Sequence, residues 1–126
     1  MGMTRVAVTG VGQSKYSSRR DATYPEMITE VVTIALADSD LTMDDIDAVV
    51  FALAPDALIG VNHAERWGVD AIGASGKPFM RAHTGGSTGM AAFQAGVHHV
   101  ASGLFRRVLV VGADSVGESG DAQQIL

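Results

Sequence analysis

The chain has no cysteine. Disulfides, thiolate metal sites and a cysteine nucleophile are therefore excluded within it, and thiols say nothing about its redox compartment. Basic residues are scarce: nine Lys and Arg stand against 14 Asp and Glu, a formal net charge of −5. The longest basic runs are the pairs Arg19-Arg20 and Arg106-Arg107, so the electrostatic footprint of a nucleic-acid binder is missing. No apolar run approaches the ~20 residues of a membrane-spanning helix. The opening MGMTRVAVTGVG lacks the charged-then-apolar order of a secretory leader, and Val6 stands where a myristoylation pattern needs Ser or Thr. A cytoplasmic protein is the default expectation.

What is present is apolar: 47 % of 126 residues, with mean hydropathy +0.21. One domain at most fits this length, and a chain of this size buries roughly two-thirds of its unfolded surface. The apolar excess points to surface that a partner, or further polypeptide, would cover. Along the chain, Arg5–Thr9 is a β-branched run stopped by Gly10 and Gly12, which predicts a strand. The polar Gln13–Ala22 reads as a loop. Thr23, Pro25 and Glu26 start a helix, with apolar residues at helical spacing to about Asp38. Thr42 and Asp45 cap a short turn. Asp47–Leu53, almost wholly apolar, predicts a strand buried on both faces. A helix pattern over Val61–Ile72, interrupted by Gly68, precedes a predicted strand Phe79–His83, a helix Ser87–Ser102 and a strand Arg107–Ala113. The alternation predicts an α/β fold, a mostly parallel sheet with helices on both faces. Ligands of such sheets sit beyond the carboxyl ends of the strands.

One turn lies at such an end: Thr84-Gly85-Gly86, inside PFMRAHTGGSTGMAAFQAG. Three chemistries fit parts of it. Gly85-Gly86-Ser87-Thr88-Gly89 matches G-x-S-x-G, the elbow of a serine hydrolase. That mechanism needs a histidine base after the serine, and His98 and His99 lie on the same helix, roughly 16 Å along its axis. Gly10-Val11-Gly12 begins a dinucleotide fingerprint, but Lys15 replaces its third glycine and no helix follows directly. A third reading uses the whole stretch. Backbone N–H groups at the start of a helix of small residues (Ala91, Ala92, Ala95, Gly96) aim at a substrate oxygen, an oxyanion site. One such donor is typically worth about 3–4 kcal/mol of transition-state stabilisation.

These segments, with RVAVTGVGQSKY, DIDAVVFALAP and HHVASGLFRRVLVVGAD, resemble the N-terminal half of a thiolase-superfamily protein. The similarity runs to the branch of sterol carrier protein x thiolases and lipid-transfer thiolase-like proteins and covers almost the whole chain. It implies a layered thiolase-like fold, residues 1–126 forming an N-terminal domain incomplete at its C-terminal end. It implies acyl-CoA as substrate, coenzyme A entering only as part of that substrate, with no separate cofactor. Anchored on Gly89, the position of the family's nucleophilic cysteine is Gly86, so a covalent acyl-enzyme cannot form there. Cysteine-free relatives imply retro-aldol cleavage of a carbon–carbon bond in lipid or steroid breakdown instead. The site residues implied are Gly86, Ser87 and His83 for chemistry and Gly85, Thr88 and Gly89 for substrate. Acid/base residues would lie beyond Leu126, leaving this chain alone inactive. The resemblance further implies a homodimer through Phe79, Met80 and Arg81, and a small acyl-CoA-binding partner subunit.

Other residues carry plainer readings. His83 is expected to hydrogen-bond structurally; His63, beside Asn62 and Glu65, has no second ligand at metal spacing and reads as solvent-facing. His98 and His99 form a polar helix end, and Trp67 is packing. Arg19 and Arg20, if not simply solvated, are the residues to meet a coenzyme A phosphate. Asp44, Asp45 and Asp47 lack the glycine and terminal glutamate of a calcium loop. Against the enzyme stands a non-catalytic reading: a fragment, or a scaffold subunit completing a thiolase-like dimer.

Overall fold

In the computed structural model, which describes residues 4–15, 22–53 and 63–114, Thr23 starts the first helix. Its hydroxyl accepts the Glu26 N–H at 3.3 Å, and Pro25 sits in the first turn where its missing donor costs nothing. Helix α1 (Tyr24–Ser39) ends on Asp40, held left-handed at φ 56°, whose N–H returns to the Ala37 carbonyl. A single 3₁₀ turn, Met43–Asp45, follows, with the Asp45 carboxylate accepting the Thr42 N–H at 2.8 Å.

Strand β1 (Ala48–Ala52) is buried at every position. That is the signature of a central parallel strand covered on both faces. It pairs in parallel with β2 (Phe79–Ala82) on one side and β3 (Val108–Gly112) on the other, giving the order β2-β1-β3. Helix α2 (Glu65–Ile72) lies with α1 on one face. Ile28, Val32, Val49, Phe51, Leu53 and Ile72 form the main core there, each worth about 1.5–3 kcal/mol in transfer from water. Phe79 stacks on Phe51 with ring centroids 5.9 Å apart. Helix α3 (Thr88–Ala101) covers the other face with a thinner core of Val50, Ala52 and Ala92. It is thin because the helix comes close: a Cβ on Gly96 would stand 2.4 Å from Val110 Cγ2. The parallel sheet with helices on both faces is as predicted.

The predicted strand Arg5–Thr9 is not in the sheet. Residues 4–15 form no strand; they lie along α1 instead. The Val11 N–H donates to Asp38 Oδ2 at 2.9 Å, and a Cβ on Gly12 would lie 2.5 Å from the Val31 carbonyl oxygen. β-branched residues supply propensity, but a strand requires a neighbouring backbone at ladder distance. Here a slot of about 1310 Å³, lined by residues 4–15, α1, α3 and β3, takes that neighbour's place. The second helix also starts later than its pattern predicts, at Glu65, after His63 turns the chain at φ 55°; Val61 and Asn62 fall outside the described residues.

Candidate functional site

β2 ends at Ala82, and after His83 and Thr84 the chain winds into a 3₁₀ turn, Gly85–Ser87, that runs directly into α3. Three hydroxyls knit this elbow. Thr88 Oγ1 accepts the Thr84 N–H at 3.0 Å and donates to the Gly85 carbonyl at 2.6 Å. Ser87 Oγ donates to the Thr84 carbonyl at 3.0 Å and lies 2.9 Å from Thr84 Oγ1. Thr88 is buried, 6 % exposed, so the elbow is anchored from below while His83, Thr84, Gly86, Ser87 and Gly89 face outward. The N–H groups of Gly85 and Gly86 take no part in the network, and no side chain caps the turn. They stand at the positive end of a 14-residue helix.

The two glycines of the turn are there for different reasons. Gly85 has φ 62°, which disfavours any side chain. Gly86 has no positive φ, and a Cβ built on it meets nothing within 4 Å; the same is true of Gly89. Neither conformation nor packing requires Gly86 to lack a side chain.

The structure brings Gly85, Gly86, Ser87, Thr88 and Gly89 together with Thr84 and His83. It does not bring the other histidines to them. His99 sits in the last turn of α3, its Nδ1 2.7 Å from the Ala95 carbonyl and its ring stacked on Phe105. The Ser87 hydroxyl is engaged by Thr84. Exposed His63 has Nδ1 3.2 Å from Glu65, and no group of three metal-ligating side chains occurs among the described residues. Arg19 and Arg20 fall outside the described residues. The Gly10-Val11-Gly12 stretch meets the side of α1 rather than a helix N-terminus.

A polar cluster on the α1–α2 face, at the same end of the sheet, has no signature in the sequence. Arg81 is level with Phe51 and points towards α2, where Glu65 accepts its Nη1 at 2.8 Å; its Nε reaches the Leu53 carbonyl at 3.4 Å. Burial would raise the Glu65 pKa, but its own backbone N–H, His63 and the Arg81 charge outweigh that and hold it below the ordinary value. Tyr24 donates to the Ala113 carbonyl at 2.9 Å and is pushed well above the ordinary phenol range by burial, then by the negative Asp114. Five separate segments supply these groups, so no local spacing announces them. The one available clue was parity: Arg81 is two residues from core-facing Phe79 and so shares its face. Of the three residues expected at a dimer interface, Phe79 and Arg81 turn their side chains inward, and Met80 is 40 % exposed.

The arrangement of parallel sheet, elbow and small-residue helix is that of a thiolase-like fold. The chain superposes with TM-score 0.67 on 3-oxoacyl-(acyl-carrier-protein) synthase III from Aquifex aeolicus, at 21 % identity over 82 % of this chain and 33 % of that one. It is 29 % identical over 120 residues to an acetyl-CoA acetyltransferase from Methanothermobacter thermautotrophicus, spanning 94 % of this chain and 31 % of that protein. No family model matches. Fold and sequence together bear out the thiolase-superfamily resemblance, and the chain spans about a third of the length of these two proteins. No described helix is long and apolar enough to cross a membrane.

Proposed function

We propose that this chain supplies the oxyanion-binding elbow of a thiolase-like enzyme that cleaves a carbon–carbon bond in an acyl-CoA thioester without a cysteine. One observation carries the reading: Gly86 is bare although nothing in the fold requires it. The space a nucleophile would fill stays open above the free N–H groups of Gly85 and Gly86. In a retro-aldol step a base takes the proton from the 3-hydroxyl of a 3-hydroxyacyl-CoA. The C2–C3 bond breaks, C3 leaves as a carbonyl, and the electron pair collects on the thioester as an enolate that is then protonated at C2. The enolate oxygen is what the elbow donors would stabilise. Acyl-CoA chemistry of lipid or steroid breakdown fits the sterol carrier protein x resemblance, and the base comes from outside this chain.

The test uses protein purified from its own cells at its native mass, with any partner subunit retained. A 3-hydroxyacyl-CoA should yield a carbonyl product and a shorter acyl-CoA without consuming free coenzyme A, and iodoacetamide should not inhibit. Gly86→Val, filling the open space, should lower kcat/KM by about 10²-fold, the scale of one lost oxyanion donor. Cleavage that consumes coenzyme A and is blocked by iodoacetamide would overturn the reading. No turnover at all would leave the scaffold alternative.

We propose also that β2 pairs with its mate across a homodimer. The Val49 and Leu53 N–H groups donate to the Pro78 and Ala82 carbonyls, so the backbone groups of Phe79 and Arg81 face away from β1 at the sheet edge. Met80→Glu should halve the sedimenting mass; an unchanged value would count against this interface.

A further inference from the structure

We infer that Thr88 is the positioning residue of the elbow: its hydroxyl fixes the peptide between Gly85 and Gly86 so that the Gly86 N–H points out of the turn. Besides Tyr24, Thr88 is the only buried residue with a polar side chain among the described residues. A buried hydroxyl is costly unless it is bonded. This one is bonded twice, accepting the Thr84 N–H and donating to the Gly85 carbonyl. Its single proton is thereby committed, so its part in the site is to hold backbone rather than to touch substrate.

The carbonyl and N–H of one trans peptide point in opposite directions across a rigid plane. Thr88 draws the Gly85 carbonyl towards the start of α3 with both its hydroxyl and its backbone N–H, which turns the Gly86 N–H the other way. Ser87 acts alike one residue earlier. Its hydroxyl and N–H reach the Thr84 carbonyl at 3.0 and 3.4 Å, which turns out the Gly85 N–H. The two hydroxyls differ in what water can replace. Ser87 is exposed, so water can take over its bond, whereas without the buried Thr88 hydroxyl the Thr84 N–H loses its acceptor. The β-branch of Thr88 adds a constraint, because few χ1 settings are open to it in a helix. The inference rests on reading the elbow as an oxyanion site, where a donor acts only if it is aimed before charge develops.

The experiment combines kinetics with NMR of glycine-labelled protein at its native mass, any partner subunit retained. Thr88→Val keeps the side-chain shape and removes the hydroxyl. It should lower kcat for 3-hydroxyacyl-CoA cleavage about tenfold, less than the ~10²-fold of a donor removed outright, with KM changed less than about twofold. Thr88→Ser should recover most of that loss. The Gly86 amide should show an order parameter of about 0.85 in the wild type and in Thr88→Ser, and below about 0.6 in Thr88→Val. A wild-type kcat in Thr88→Val, a loss carried by KM instead, or no recovery in Thr88→Ser would overturn the inference. So would a Gly86 amide equally rigid in all three. Should Thr88→Val not fold, Thr88→Ala is read against the same values. A wild type that leaves 3-hydroxyacyl-CoA intact would refute the oxyanion reading, and the Gly86 amide would still decide the role of Thr88.

Discussion

Two glycine-rich stretches, Gly10-Val11-Gly12 and Gly85-Gly86, follow β-branched or apolar residues and look alike as text, yet they serve opposite ends. At the first, glycine lets two backbones touch: Cβ atoms on Gly10 and Gly12 would lie 2.5–2.8 Å from atoms of α1. At the second, Gly86 faces emptiness. A glycine that touches is explained by the fold; a glycine that touches nothing and needs no special dihedral asks for another explanation. Substrate space is the one proposed here.

The comparison breaks first at Gly12. Gly12→Ala forces its Cβ onto the Val31 carbonyl and the Ala35 nitrogen, backbone atoms that cannot yield as a side chain would. The expected cost is about 1–3 kcal/mol, the scale of overpacking, or release of residues 4–15 from α1. Chemical denaturation together with proteolysis near Lys15 would show either. A loss no larger than for an ordinary surface change would dissolve the contrast.

A second test asks how the sheet is clasped at its other end. Asp47 Oδ2 accepts the N–H groups of Arg106 at 2.9 Å and Arg107 at 3.0 Å, tying the turn before β3 to the start of β1. Those bonds, Arg107 first and Arg106 next, hold its pKa below the ordinary carboxylate value. A depressed folded pKa means the stabilisation is complete above the unfolded value of about 4 and is lost as pH falls through the folded one. Asp47→Asn should therefore melt below the wild type at neutral pH, with the gap closing under acid. A gap independent of pH would mean the carboxylate charge is not involved.

The smallest effect sharpens the comparison most. Gly86→Ala should change stability by no more than about 0.5 kcal/mol, or stabilise slightly by stiffening the unfolded chain. Gly85→Ala, at φ 62°, should cost roughly 1 kcal/mol or more. If Gly86→Ala proved the costlier, the bare position would be structural after all.

Most of the fold was legible because each layer signals locally. Thr23, Pro25 and Glu26 mark a helix start by side-chain chemistry within one turn, and the unbroken apolar run of β1 marks a strand covered on both faces. The elbow was legible because a strand, two glycines and a small-residue helix are adjacent in sequence. Arg5–Thr9 misled because propensity is local whereas strand partners are not. The Arg81–Glu65 pair and the Tyr24–Ala113 bond were invisible for the same reason, joining residues 16 and 89 apart along the chain.

The central place of β1 bears on how the protein is made. Ala48 pairs with Val108, so during synthesis the most apolar strand emerges 60 residues before its last neighbour exists. At ribosomal speed that interval is roughly 3–12 s. Val49, Val50 and Phe51, later sealed on every side, have at first only α1 to lie against, until α2, β2 and α3 follow in turn. The nascent chain passes through a stage in which its future core is its most adhesive surface, and its yield in cells should depend on chaperones that shelter it.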